Sequence, residues 1–147
     1  MYKRILIPTD GSKIAAKAIK HGVALAKALG ASVLGYHALE PIDTIYYSTA
    51  AGIRPTQVMA LQRELAAEAE RYLDALAKVA DKAGVPCDTL ISRPAAPWQG
   101  IVDVARRKKC DVICMASHGR GRIASALLGS VTQKVLTHSK VPVLVCR

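Results

Sequence analysis

Two groups of small and hydroxyl-bearing residues in the last third of the chain have the composition of an anion-binding site. The first is SHGRG at residues 117–121, directly after the apolar run Val112–Ala116, and the second is GSVT at residues 129–132. Glycine lets the backbone approach a ligand, and the first amides of a helix have no partner within it, so a strand–loop–helix of this kind can bind phosphate. Ser130 and Thr132 add hydroxyl donors. The same pattern fits a tight strand-to-helix turn with Ser130 as the N-cap, and spacing alone leaves both interpretations open.

A second polar loop, TDGS at residues 9–12, follows the first apolar run of the chain. In a parallel sheet, ligands bind beyond the carboxyl ends of the strands, where the strand order reverses. The loops after the first and fourth predicted strands would meet there, which brings Asp10 opposite the glycine and hydroxyl residues. A carboxylate that faces phosphate normally requires a divalent cation between them, because two anions repel. The alternative is that Asp10 caps the first helix, beside Ser12 as its predicted N-cap.

Two known nucleotide-binding motifs, the Walker A loop and the dinucleotide fingerprint, can be tested against the sequence. No G-x-x-x-x-G-K-[ST] segment occurs, so a Walker A loop is excluded. The segment GRGRIA at residues 119–124 matches the dinucleotide pattern G-x-G-x-x-A, which also needs an acidic residue about 20 positions later. Residues 119–147 contain no Asp or Glu, so this interpretation is set aside. His118 has the chemistry of a general base, but no residue beside it in sequence would orient it, which favours a hydrogen-bonding role in the loop.

The elements that would position these loops alternate between strand and helix along the chain. Short apolar runs bounded by turn residues predict strands, and apolar residues at three- and four-residue steps predict helices. The predicted strands are residues 2–8, 31–38, 85–92, 112–116 and 141–146, with Gly30 and Gly84 ending the first two helices. The second helix, residues 56–83, carries a stripe of apolar residues that favours packing on the sheet and leaves a partner helix as the alternative: Val58, Leu61, Leu65, Ala69, Tyr72, Leu76, Val79 and Ala83. Five strands with helices between them predict a parallel sheet in one α/β domain over residues 1–147.

Composition limits the class of protein and its partners. The net charge of +10, from 21 Lys and Arg against 11 Asp and Glu, favours an anionic ligand or a polyanion. There is no Phe and one Trp, so the aromatic platform of a nucleic-acid-binding surface is lacking, and no specific nucleic acid is expected. The cluster RRKK at residues 106–109 is typical of a solvated helix C-terminus, where cations complement the helix dipole.

Hydropathy and cysteine spacing bear on location and metal binding. No apolar run approaches the roughly 20 residues that a membrane span needs, and residues 1–12 turn polar too early for a signal peptide. A cytoplasmic protein without a membrane partner is therefore expected. The four cysteines, Cys87, Cys110, Cys114 and Cys146, have no metal-binding spacing. Reduced and mostly buried thiols are the favoured interpretation.

At both ends the sequence resembles the universal stress proteins of the single-domain type. The opening ILIPTDGS (residues 5–12) and the closing SHGRG, LLGSVTQKVL and PVLV segments (within residues 117–145) match that family over nearly the whole chain. Nucleotide-binding members carry G-x-x-G, nine residues and then G-[ST]. Here nine residues separate Gly119 from Gly129-Ser130, and Ala116 stands where the family pattern begins with Gly.

The resemblance implies a fold, a ligand and a set of site residues. The fold would be a three-layer, flavodoxin-like or Rossmann-like sandwich with strand order 3-2-1-4-5. The ligand would be ATP with Mg²⁺ or Mn²⁺, and Asp10 would face the metal. Ala38 would meet the adenine through its backbone. The residues implied to contact the nucleotide are Pro8, Thr9, Asp10, Ala38, Met115, Ala116, His118, Gly119, Gly129, Ser130, Val131 and Thr132.

The resemblance also implies a role and an assembly. The favoured hypothesis is a regulatory ATP-binding module of the stress response, with a protein partner that the sequence does not identify. Two alternatives are a slow ATPase whose hydrolysis times a switch, and a nucleotide-free dimer in which Ala116 closes the site. A homodimer through the apolar strand at Val141, Val143, Leu144 and Val145 (residues 141–145) is expected in each case, because an open sheet edge invites pairing.

Overall fold

The structure is a computed structural model that describes residues 2–41, 54–119 and 128–147. The described residues form five strands and four helices. In chain order these are β1 (Arg4–Pro8), α1 (Lys13–Leu29), β2 (Ser32–Ala38), α2 (Pro55–Ala83), β3 (Cys87–Ser92), α3 (Pro97–Arg107), β4 (Val112–Ala116), α4 (Ser130–His138) and β5 (Val143–Cys146). The GRGRIA segment, residues 119–124, lies largely outside the described residues.

The strands form one parallel sheet in the order β3-β2-β1-β4-β5, which confirms the predicted order. β1 is central, with β2 on one side and β4 on the other. The chain therefore moves outward in one direction through β2 and β3, and in the other direction through β4 and β5. The strand order reverses between β1 and β4, and a cleft opens there at the carboxyl ends of the strands.

Apolar side chains cover both faces of the sheet and produce three layers. Ile5 and Ile7 face the cluster beneath α1 and α2, and Leu6 faces the cluster beneath α3 and α4. All three side chains of β1 are fully buried. A strand that is covered on both faces needs a continuous apolar sequence, which explains the run Ile5–Leu6–Ile7.

The helix ends lie where the capping residues predict them, whereas the beginning of the last strand differs from the prediction. Gly30 and Gly84 end α1 and α2 in the left-handed conformation, with φ of 61° and 70°, and Ser12 caps α1 by accepting from the Ala15 amide. The prediction that the last strand begins at residue 141 is wrong. Val141 is held in a turn by Ser139 Oγ, which bonds both its amide (3.0 Å) and its carbonyl (2.7 Å). Pro142 has no amide to donate, so β5 begins at Val143.

Asp111 ties the beginning of β1 to the beginning of β4. Its Oδ2 accepts from the backbone amides of Lys3 at 2.6 Å and Arg4 at 2.8 Å. In return the Asp111 amide donates to the Arg4 carbonyl at 2.8 Å. These backbone hydrogen bonds favour the ionised carboxylate and hold the pKa of Asp111 below its usual range. The register of the two central strands is thus fixed at the edge opposite the cleft.

The cysteines are free thiols, as predicted, and three of the four are buried. Burial raises the pKa of Cys110 to about 11. The sulfur atoms of Cys114 and Cys146 lie 3.6 Å apart beneath α1, and burial raises the pKa of Cys114 to about 12. Residues 2–41, 54–119 and 128–147 contain no helix long and apolar enough to span a membrane.

Candidate functional site

A cavity of about 390 Å³ lies at the carboxyl edge of the sheet, above β1 and β4. The described residues that line it come from the ends of β1, β2 and β4, the beginning of α4, and the facing sides of α2 and α3. All the residues implied by the family resemblance line this cavity: Pro8, Thr9, Asp10, Ala38, Met115, Ala116, His118, Gly119, Gly129, Ser130, Val131 and Thr132. Chain segments that are far apart in the sequence therefore meet at one cleft.

The turn that leads into α4 is shaped by a close backbone approach. The Gly129 amide donates to the Ser117 carbonyl at 2.7 Å, which joins the end of β4 to the beginning of α4. A Cβ atom at position 129 would lie 3.0 Å from His118 Cα, closer than side chains normally approach a backbone. A side chain at position 129 would therefore push the backbone at His118 outward by a few tenths of an ångström.

The interpretation of Ser130 as the N-cap of α4 is wrong. Gly129 occupies the N-cap position in an extended conformation, with φ of −70° and ψ of 155°, and no side chain caps the helix. The first hydrogen bond of the helix runs from the Gln133 amide to the Gly129 carbonyl at 2.9 Å, so Gly129 is the N-cap and the helix begins at Ser130. Ser130 is exposed, so its hydroxyl and the first amides of α4 face the cavity without a capping bond between them.

Thr132 and Ser117 support the loop from within. The buried Thr132 hydroxyl donates to the Ala116 carbonyl at 3.0 Å, so its hydrogen is used by the end of β4. The Ser117 hydroxyl lies 3.0 Å from His118 Nδ1. The sequence-based expectation that no neighbour would orient His118 is therefore wrong, because the adjacent serine hydroxyl does so.

The loop after β1 places a carboxylate opposite this turn. Asp10 Oδ1 accepts from the Ser12 amide at 3.0 Å, and the Gly11 amide donates to Thr9 Oγ1 at 3.2 Å. The other carboxylate oxygen, Asp10 Oδ2, lies against the Gly119 backbone, where a Cβ atom would overlap it. Asp10 thus reaches from the β1 loop to the β4 loop, in addition to holding the turn before α1.

The donor set around Asp10 decides what kind of metal site it could form. No group of three or more His, Cys, Asp or Glu side chains suited to a metal ion occurs in the part of the chain that the structure describes. Mg²⁺ needs six oxygen ligands and is often held by one or two carboxylates together with substrate phosphates and water. Asp10 therefore fits a cation that arrives with a polyphosphate, and does not by itself form a resident metal site.

The backbone of Ala38 faces the cavity because β2 is longer than its neighbour β1. The Tyr36 carbonyl accepts from the Thr9 amide at 2.9 Å, and the Leu39 amide donates to the Ser92 carbonyl of β3 at 2.9 Å. Backbone groups of successive strand residues point to alternate sides, so Ala38 points toward β1, as Tyr36 does. β1 has already ended at Pro8, which leaves the Ala38 amide and carbonyl directed at the cleft.

The residues that line the cavity differ between the two sides of the sheet edge. On the side of α3 and α4 the lining is mainly apolar and includes Tyr36, Pro97, Ile101, Met115 and Val131. Burial raises the pKa of the Tyr36 hydroxyl, which bonds Ser92 Oγ at 2.8 Å, so this tyrosine stays neutral. On the side of α2 the lining includes the polar side chains of His37, Glu68 and Tyr72 together with Leu65. A flat apolar group suits the side of α3 and α4, and hydrogen-bonding groups suit the side of α2.

Sequence reasoning missed the residues that α2 contributes to the site. Tyr72 belonged to the stripe predicted to pack on the sheet, whereas it lies half-buried in the wall of the cavity with Leu65 and Glu68. Its hydroxyl donates to Glu68, one helical turn earlier. The i, i+4 spacing of Glu68 and Tyr72 was visible in the sequence, but only the position of α2 relative to β2 shows that this pair reaches the cleft.

The fold and cleft define a doubly wound α/β protein with a ligand-sized cavity at the switch point of its sheet. Comparison with known proteins names the family: the profile of the Universal stress protein family matches residues 1–147. The chain therefore belongs to the universal stress protein family, as its two terminal motifs indicated.

Individual relatives agree with this assignment. Universal stress protein MJ0531 of Methanocaldococcus jannaschii is 34% identical, over 100% of this chain and 83% of its own length. The solved structure of MJ0577, from the same organism, superposes with a TM-score of 0.83 at 31% identity, covering 99% of this chain and 96% of that one. The universal stress protein of Archaeoglobus fulgidus, solved in complex with dAMP, shares the fold with a TM-score of 0.73 at 19% identity, covering 99% and 98%.

Proposed function

We propose that this protein binds ATP together with Mg²⁺ or Mn²⁺ in the cavity at the sheet edge, and that it acts as a regulatory binding module of the stress response. The observation that carries the proposal is the arrangement of two loops. The uncapped beginning of α4, with Gly129 and Ser130, lies across the same cleft from the carboxylate of Asp10. A helix N-terminus attracts phosphate, and a carboxylate at the same ligand requires a cation between them.

The apolar lining on the side of α3 and α4 provides the place for the base. Adenine is flat and mostly apolar, and it would fill the space between Ile101, Met115 and Val131. The Ala38 amide and carbonyl at the rim offer one donor and one acceptor for its polar edge. The complex of the Archaeoglobus fulgidus relative with dAMP supports an adenine nucleotide as the ligand class.

The phosphates would lie at the beginning of α4. The first amides of this helix and the exposed Ser130 hydroxyl are the donors, and the net charge of +10 favours an anionic ligand. Thr132, whose hydroxyl donates to the Ala116 carbonyl, would hold the loop in place while its neighbours contact the phosphates. The cation would lie between the phosphates and Asp10, which supplies one ligand oxygen.

Two alternative functions are a slow ATPase and a nucleotide-free dimer whose site is closed by Ala116. Slow ATP hydrolysis is favoured by the contact between the Ser117 hydroxyl and His118 Nδ1, which would orient the imidazole beside the ligand. A site closed by Ala116 is disfavoured, because this side chain packs in the buried cluster beneath α1 and a cavity of about 390 Å³ remains. Phosphate release measured with and without Mg²⁺ separates the slow ATPase from the binding module.

The decisive test begins with the purified protein. Mass spectrometry of any small molecule released on denaturation should show ATP or another adenine nucleotide. Isothermal titration calorimetry should then show binding of Mg-ATP that weakens when EDTA is added. The Asp10→Asn variant keeps an oxygen acceptor for the Ser12 amide but removes the charge, so its ATP affinity should depend less on the metal.

A matched control keeps this test specific. Asp103 is an acidic residue on α3 that pairs with Arg106 at 3.1 Å and does not line the cavity. The Asp103→Asn variant should bind Mg-ATP as the parent does and show the same loss with EDTA. Absence of any ATP binding by the parent, with or without metal, would contradict the proposed function.

Assembly through β5 is part of the same proposal. β5 is an edge of the sheet, and Leu144 on this strand is 43% exposed. An exposed apolar edge strand can pair with the same strand of a second chain. We therefore propose a homodimer through β5, and we keep the cytoplasm as the predicted location.

A further inference from the structure

The ring of Tyr72 lies directly on the backbone of Gly11, in the loop that carries Asp10. A Cβ atom at position 11 would overlap the ring. Gly11 also has φ of +76°, a left-handed conformation that residues with side chains rarely adopt. Two independent requirements therefore demand glycine at this position, and one of them is the approach of a side chain from α2.

The ring itself is held from two sides. The Tyr72 hydroxyl donates to Glu68 one helical turn earlier. The imidazole of His37 lies beside the ring, with centroids 5.7 Å apart and planes tilted by 53°, an edge-type geometry that aromatic pairs favour. Tyr72 is thus held by Glu68 of its own helix and by His37 near the carboxyl end of β2.

His37 also reaches the same loop. Its Nδ1 lies 2.7 Å from the Thr9 carbonyl. A carbonyl oxygen can only accept, so Nδ1 carries the hydrogen of this bond. His37 therefore holds the backbone on one side of Asp10, at Thr9, while Tyr72 packs on the other side, at Gly11.

We propose that Tyr72 and His37 are positioning residues, which hold the backbone of residues 9–11 so that the Asp10 carboxylate faces the phosphate side of the cleft. This inference deepens the proposed function and rests on it for the identity of the ligand. We call the pair Tyr72 and His37 the clamp. Through Tyr72 it joins α2 to the loop of Asp10, the carboxylate proposed to face the metal. Substitution of Tyr72 should therefore alter how strongly ATP affinity depends on the metal, because it changes the position of the Asp10 carboxylate.

The test uses variants that separate the ring from the hydroxyl and from general stability. Tyr72→Ala removes the ring, and Tyr72→Phe removes only the bond to Glu68. His37→Asn keeps a donor near the position of Nδ1 but removes the ring contact. The matched control is Leu73→Ala on the same helix, because Leu73 is buried in the core and does not line the cavity.

The first measurement needs no ligand. The Ser12 amide donates to Asp10 Oδ1, so its hydrogen exchange reports the order of the loop, and the Ile113 amide of β4 serves as an internal reference. Relative to Ile113, exchange at Ser12 should accelerate by roughly 2- to 10-fold in Tyr72→Ala, the range expected for one aromatic contact. Tyr72→Phe, which keeps the ring but loses the bond to Glu68, should give a smaller increase, and Leu73→Ala should keep the parent ratio.

The second measurement is the ratio of ATP dissociation constants with EDTA and with Mg²⁺. The ratio should fall toward 1 in Tyr72→Ala, decrease in part in His37→Asn and in Tyr72→Phe, each of which removes one of the contacts that hold the ring, and stay at the parent value in Leu73→Ala. An unchanged Ser12 exchange in Tyr72→Ala overturns the clamp, whatever the ATP result. A changed Ser12 exchange in a protein whose parent binds no ATP overturns the proposed function and retains the clamp.

Discussion

The carboxylate of Asp10 lies so close to the backbone of Gly119 that a Cβ atom at position 119 would overlap Oδ2. This contact joins the loops after β1 and β4, which belong to opposite ends of the sequence and to adjacent strands of the sheet. A side chain at position 119 would therefore have to displace the Asp10 carboxylate. The contact makes the two loops interdependent, and the first prediction follows from it.

Gly119→Ala should displace the Asp10 carboxylate and weaken Mg-ATP binding by roughly 10-fold, comparable to the lower cost of overpacking a well-filled site. Calorimetry with Mg-ATP is the measurement. In an Asp10→Ala background the added methyl has no carboxylate to displace, so Gly119→Ala should then change affinity little. An equal loss in both backgrounds would show that the methyl acts directly on the ligand.

Ser130→Ala should lower ATP affinity by about 10- to 150-fold, because a neutral donor to a charged oxygen typically contributes about 1.5–3 kcal/mol. Since Gly129 and not Ser130 is the N-cap, thermal unfolding of this variant should match that of the parent. A lower melting temperature with unchanged affinity would show that Ser130 caps the helix and does not bind the phosphates.

Leu144→Lys should convert the proposed dimer to a monomer, because it adds charge to the exposed position of the β5 edge. Light scattering should give a mass near 15.7 kDa for the variant and twice that mass for the parent. Val143 lies on the same strand but packs partly against the cluster beneath α3 and α4. Val143→Lys would therefore disturb the core as well as the edge, and Leu144 is the better position for this test. A parent that is monomeric at all concentrations would contradict the interface.

Asp111 should contribute to stability at neutral pH and lose that contribution in acid. Its pKa is lowered in the folded state by the Lys3 and Arg4 amides, so folding favours the ionised form. This stabilisation is present above the unfolded pKa of about 3.9 and is lost as pH falls through the folded pKa. Urea unfolding of the parent and of Asp111→Asn should therefore differ at pH 7 and converge at about pH 2. A constant difference across this range would contradict the assignment.

Native thiol reactivity should be confined to Cys87. Burial raises the pKa of Cys87 too, but this residue is only half-buried and a reagent can reach it. Cys110, Cys114 and Cys146 are buried, and the pKa values of about 11 and about 12 keep Cys110 and Cys114 protonated. The thiolate is the reactive form, so Ellman's reagent at pH 8 should titrate one thiol in the native protein and four after denaturation. Cys87→Ser should remove the native signal, and rapid labelling of Cys114 would contradict the burial argument.

The sequence by itself determined the architecture and much of the site. The continuous apolar run of β4 predicted Val112–Ala116 as a strand, and the structure has the same boundaries. Gly30 and Gly84 marked two helix ends because the left-handed conformation favours glycine. Strand order and the set of cleft residues came from the resemblance of the two terminal motifs to a known family, and the structure brings all of those residues to one cavity.

Only the tertiary structure decided which side chains meet across elements. The approach of Asp10 to Gly119, the packing of Tyr72 on Gly11 and the bond from His37 to Thr9 all join distant segments. The N-cap of α4 is Gly129, whose carbonyl accepts the first hydrogen bond of the helix and whose amide donates to the Ser117 carbonyl at the end of β4. Periodicity and glycine content are local signals, set by the backbone of a few neighbouring residues. Contacts between elements depend on how helices and strands pack against one another, and no short stretch of sequence contains that information.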